Sequence, residues 1–121
     1  MADVIRKDIE ACVHNECDSA EKRFGLIHND HERWALIMEE FEESCECAKQ
    51  IKDLMEKMWY NIKINNTGSI DKCVENVHDW AIAMAIEACQ LAAMCEKKTM
   101  PYDIDVDLAH GTYRGDMNDR V

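Results

Sequence analysis

Residues 30–60 run DHERWALIMEEFEESCECAKQIKDLMEKMWY, and their periodicity decides the fold. Trp34, Ile37, Phe41, Ala48, Ile51, Met55 and Met58 recur at three-and-four spacing, and Leu54 and Trp59 widen the stripe late. Neither glycine nor proline interrupts them. The pattern predicts an amphipathic helix that opens on Asp30 as N-cap and is about 45 Å long.

Helices flank it on both sides. Residues 3–24 carry Val4, Ile5, Ile9, Cys12, Val13, Cys17, Ala20 and Phe24 at helical spacing, with Asp3 as the expected cap and Gly25 as the stop. Residues 26–29 make a short connection holding His28. Asn65, Asn66, Thr67 and Gly68 signal a turn inside residues 61–69. A third helix follows from Ser69 or Asp71 to about Lys98, with Val74, Val77, Trp80, Met84, Ala88, Leu91 and Cys95 as its stripe. Ala81, Ala85 and Ala92 allow close approach, Lys97 and Lys98 suit a helix C-terminus, and Pro101 closes it. The fold class is therefore all-α: a bundle of about three long helices, completed by a second copy because three broad stripes are few for one closed core. Residues 1–98 form the helical domain and residues 99–121 an acidic tail.

Composition narrows the partners. The chain has 121 residues and a net charge of −11. It has no basic stripe, so nucleic acid is excluded as a partner. A small nucleotide is not, provided a divalent cation bridges the two negative partners. No apolar run reaches the roughly 18 residues of a membrane span. Seven cysteines, an odd number, follow an N-terminus that is charged and amphipathic rather than a leader. A cytoplasmic protein with reduced thiols is the expectation. Cys45 and Cys47 lack the spacing and the second pair that a zinc site needs.

The chemistry lies in acids at helical spacing. Glu39, Glu40 and Glu43 sit on the second helix, and Glu87 and Gln90 sit three apart on the third. Such pairs share a helix face. At about 100° per residue, the apolar stripe of the second helix centres about 60–70° to one side of Glu40, and Glu43 lies about 60° to the other. Glu87 bears the same relation to Trp80, Met84, Ala88 and Leu91, with Gln90 beyond it. Each helix thus places an acid at the edge of its apolar stripe and a further oxygen just outside. Glu87 stands in an Ala- and Met-rich stretch, 81–94, that contains no lysine or arginine. A carboxylate there needs a partner, and a hard cation is one.

Residues 31–43, with residues 86–94, resemble the MazG-like group of all-α nucleoside triphosphate pyrophosphohydrolases. The likeness extends over about residues 4–98. Glu39, Glu40 and Glu43 match its first motif, two glutamates and a third after two variable residues. Glu87 matches the second, in which Gln90 stands where the family has aspartate. The resemblance implies a dimeric or higher helical bundle and Mg²⁺-dependent cleavage (Mn²⁺ as substitute) of a nucleoside triphosphate to monophosphate and pyrophosphate. It implies Glu40, Glu43, Glu87 and Gln90 as metal ligands and Glu39 as an additional ligand or the proton acceptor. The neutral Gln90 removes one charge from the ligand set, and residues 53–75 make a longer connection than the family's, which lengthens both helices or reshapes the pocket. His31, near the start of the acidic helix, is the candidate for a substrate phosphate, against a plain capping or packing role.

Other constellations are weaker. Glu75 and His78 form half of a di-iron motif whose second half is absent. Asp103, Asp105 and Asp107 resemble the start of a calcium loop without its glycine and closing glutamate. No third group orients a Cys/His nucleophile. Trp34, Trp59 and Trp80 lie on or beside apolar stripes and read as core. The competing functional expectation is a catalytically weak or inactive member acting as a nucleotide-binding or helical interaction module.

Overall fold

The computed structural model describes residues 2–101, and the tail aspartates lie outside them. Three helices run in order: α1 (Ala2–Phe24), α2 (Asp30–Lys63) and α3 (Thr67–Glu96). The chain is all-α, as its periodicities predict. Among the described residues no helix is long and apolar enough to cross a membrane.

Local chemistry sets the boundaries. Gly25 (φ +82°) takes the left-handed conformation after α1, and its N–H donates to Glu21 O at 2.9 Å. Asn29, not Asp30, caps α2: its Oδ1 accepts from Glu32 N at 2.8 Å. Asp30 instead places its charge in the first turn, where the helix dipole favours it. Asp3 likewise lies within the first turn of α1 rather than capping it. The turn between α2 and α3 is only residues 64–66. Asn65 (φ 57°) supplies the left-handed step, and the Asn66 side chain accepts from Ser69 N at 3.4 Å. Most of the segment 53–75 is therefore helical, and α2 and α3 reach about 51 and 45 Å.

With so short a turn, α2 and α3 pack antiparallel along their length, and α1 packs against α3. The covered residues on α2 include Arg33, Ile37, Glu40, Ser44, Cys47, Ile51, Leu54, Met58 and Asn61. On α3 they include Cys73, Val77, Trp80, Met84, Glu87, Leu91 and Met94. Both sets alternate four-and-three spacing, which is a coiled-coil seam. A smaller core joins Val13, Cys17 and Ala20 of α1 to Ala93 and Met94 of α3, with Leu36, Ile37 and Cys89 around it.

The far end is clasped. Ile27, 1% exposed, exchanges backbone hydrogen bonds with the extended segment after α3: its N–H donates to Lys98 O at 2.9 Å, and its carbonyl accepts from Met100 N at 2.7 Å. Glu21 Oε2 accepts from Lys98 N at 2.7 Å. Arg33 donates to the carbonyls of Met94, Cys95 and Lys97 and to Thr99 Oγ1. One side chain from α2 thus satisfies carbonyls that the end of α3 leaves without helical partners.

Several expected core residues are not buried. Trp34 (63%), Trp59 (59%), Phe41, Met55 and Val74 are exposed, and Trp80 is half-buried. Val4, Ile5 and Ile9 are exposed as well. The reason is geometric: a long helix covered by a single neighbour buries only a narrow seam, whereas its stripe is broad enough for two.

Candidate functional site

Glu40 and Glu87 occupy seam positions, not the stripe edges that angular placement from sequence predicts. Trp34, Phe41 and Ala48 belong to the stripe by spacing, yet all three are exposed. Removing them rotates the covered face until its residues spread about 60° to either side of Glu40. Two carboxylates therefore meet inside the seam, between Ile37 and Ser44 on α2 and between Met84 and Leu91 on α3.

The antiparallel pairing brings them together. One carboxylate oxygen each from Glu40, Glu43 and Glu87 lies within 4.8 Å of the other two. Glu40 and Glu87 are half-buried, and Glu43 opens to solvent. Gln90, one turn beyond Glu87, sets its amide against the acids; with the nitrogen turned toward them it donates to Glu87 Oε1 at 3.1 Å and Glu40 Oε1 at 3.3 Å. Among the described residues no lysine, arginine or histidine forms an ion pair with Glu40, Glu43 or Glu87.

Concentrated negative charge has the expected consequence. Loss of hydration, then the charges of Glu43 and Glu87, a hydrogen bond with Glu87 and the charge of Glu39 push the Glu40 carboxyl up from 4.5 to about 7. Glu43 is also raised, first by the hydrogen bond it shares with Glu87 and then by that residue's charge. Burial, then the charges of Glu87, Glu46 and Glu43, raise the Cys47 thiol, which keeps it protonated and unsuited to nucleophilic work.

The donor set fits a hard divalent cation. Oxygens that ligate one cation at about 2.1–2.4 Å stand no more than about 5 Å apart, the spread these three already have. An all-oxygen set of carboxylates and an amide suits Mg²⁺ or Mn²⁺ rather than a soft metal. The exposed side at Glu43 leaves room for water and a ligand.

The remaining sequence candidates lie apart from this focus. Glu39 is exposed, about 100° round the helix from Glu40, near enough for its charge to act on that carboxyl. His31 is exposed on the first turn of α2, about 13 Å along the axis from Glu40 and about 180° round it. All seven cysteines are free: Cys17, Cys47 and Cys73 buried, Cys89 half-buried, and Cys12, Cys45 and Cys95 exposed.

Two features stand outside the predicted motifs. One is Arg33, whose partners lie more than 60 residues away. The other is a groove on α3 beside Trp80; its signal is the four-three spacing of Asn76, Trp80, Ala83, Glu87 and Gln90, which aligns it with the acid site. Comparison with protein-family models, curated proteins and solved structures returns no match.

Proposed function

We propose that this chain is a divalent-cation-dependent nucleotide pyrophosphohydrolase of the MazG-like kind, converting a nucleoside triphosphate and water to a monophosphate and pyrophosphate. The observation that carries the reading is the convergence of Glu40, Glu43 and Glu87 oxygens from two antiparallel helices, with no cationic side chain among the described residues to neutralise them. These three residues hold the cation, with Gln90 able to add its amide oxygen by rotating the amide. A bound Mg²⁺ or Mn²⁺ supplies charge neutralisation for the polyphosphate and lowers the pKa of water. Glu39, solvent-facing and one residue from Glu40, accepts the proton that the attacking water loses. The bond broken joins the α-phosphorus to the oxygen that leaves with pyrophosphate.

A panel of nucleoside triphosphates with Mg²⁺ or Mn²⁺ tests the activity by pyrophosphate release. Glu87→Gln should lower turnover by ~100-fold or more while the helical circular dichroism is unchanged, since ligand loss costs at least as much as loss of an outer-shell partner. No turnover of any nucleotide with either metal would sink the enzymatic reading.

Gln90 favours a second reading. With its nitrogen toward the acids its amide bonds two of them, so the cluster has a neutral partner that a fourth carboxylate would not provide. On this reading the chain binds a Mg²⁺–nucleotide without hydrolysing it. Calorimetry separates the two: tight binding with intact nucleotide recovered supports the second and excludes the first.

Both readings include a homodimer in a reducing, cytoplasmic setting. Free thiols support the compartment, and the exposed apolar side chains support the second copy.

A further inference from the structure

A second line runs beside the seam between α2 and α3. On α2, Trp34, Phe41, Ala48, Met55 and Ile62 each follow a seam residue by one position, and all are exposed. On α3, Val74, Ala81, Ala88 and Cys95 do the same and are exposed too. One position is about 100° of rotation. In an antiparallel pair that rotation carries the residues of both helices to the same side. Between them lie Met38, Cys45, Lys52 and Trp59 of α2, each one position past another seam residue, and Lys52 is the one charged group in either set. The result is an apolar strip about 42 Å long from Trp34 to Ile62. Glu43 and Gln90, three positions past Glu40 and Glu87, fall on the opposite side, so the acid site makes no use of it.

The segment after α3 points to one end of this strip. Residues 98–100 pair in parallel with Ile27, so they run, as residues 27–30 do, toward the first turn of α2. Arg33 holds Thr99 Oγ1 there at 2.8 Å, and Trp34 is the next residue. After Pro101 the sequence reads YDIDVDL over residues 102–108. Strict alternation of this kind suits an extended segment with one apolar edge and one acidic edge. Residues 101–108 span about 27 Å at full extension. Lys52 stands about 27 Å from Trp34 along α2, so the reach of the segment ends where a cation meets its last aspartate. Tethered at the edge of the strip, the segment competes at an effective concentration of roughly millimolar, which a free partner must exceed.

We propose that residues 102–108 of this chain cover the strip, with Ile104, Val106 and Leu108 against it, Asp103 and Asp105 in water and Asp107 beside Lys52. The inference is independent of what the acid site binds, because the two lie on opposite sides of the helix pair.

The test compares the full chain with a full-length variant carrying Ile104→Asp, Val106→Asp and Leu108→Asp. Acrylamide quenching of Trp34, in a Trp59→Phe/Trp80→Phe background, reads one end of α2. The rate of iodoacetamide labelling at Cys95, followed by mass spectrometry, reads the α3 side. The variant should label at least about tenfold faster at Cys95, since losing the burial of a single such side chain shifts an equilibrium by that order. Trp34 should be quenched more strongly, with helical circular dichroism unchanged. Cys12, an exposed thiol on α1, should label at the same rate in both proteins. Equal accessibility of Cys95 and Trp34 in the two proteins overturns the proposal. So does an equal acceleration at Cys12, which would report loosening of the whole chain. Protection that persists in the variant and rises with protein concentration overturns it as well, and gives the strip to a second copy.

Discussion

Glu40 holds a carboxyl titrating at about 7 at the middle of a helix seam, against 4.5 for the ordinary group. Between those values the folded chain keeps a proton that the unfolded chain has released. Stability therefore falls as pH rises from about 4.5 through about 7, because the native state binds more protons there. Glu43 shifts in the same direction and adds to the same trend. In a metal chelator, the melting temperature should be lower at pH 8 than at pH 5.5. Glu40→Gln should flatten that slope, and Mg²⁺ should restore the wild-type melting temperature at pH 8. Identical slopes for the two proteins in chelator would show that the acids do not repel one another as their geometry implies. The residues themselves were legible in the sequence: three-residue spacing put Glu40 beside Glu43 and Glu87 beside Gln90. That Gln90 donates to both helices was not, because the direction of an amide depends on which oxygens the fold sets around it.

Each helix has a stop or start written locally, and one has an end held from a distance. Asn29 and Asn66 cap, and Gly25 and Asn65 turn; all are polar or small residues within a few positions of the boundary they set. Asn29→Ala should cost about 1 kcal/mol, as N-cap removal generally does, measurable by denaturant melts. The end of α3 differs. Arg33 reaches it from α2 with four hydrogen bonds, three of them to backbone carbonyls. Arg33→Ala should leave those carbonyls to water and loosen the contact of Ile27 with Thr99. Faster amide exchange at Ile27 and Met100, with the α2–α3 turn unaffected, is the expected result. Arg33→Lys should not rescue it, since one ammonium cannot span the same fork of acceptors. Exchange rates at Ile27 unchanged in Arg33→Ala would show the clasp to be held by the backbone pairing alone.

Over the whole molecule, apolar surface exceeds what three helices cover. The line of α1 that buries Val13, Cys17 and Ala20 continues toward the N-terminus as Ile9, Ile5 and Val4, which are exposed among the described residues. A second copy docking along this line is the expected arrangement, since closed two-fold pairs are the commonest way to cover such a face. Light scattering should report a dimer, and Ile5→Glu with Ile9→Glu should give a monomer that keeps its helical content. A wild-type chain that stays monomeric at high micromolar concentration would overturn it. By itself the sequence determined the helices, their stops and the acids that share a face, because period, caps and spacing act over a few residues. Tertiary structure decided which part of each broad stripe became the seam. A stripe such as that of α2 is wide enough for two partners, and only packing against a single antiparallel neighbour selects the narrow line on which Glu40 and Glu87 meet.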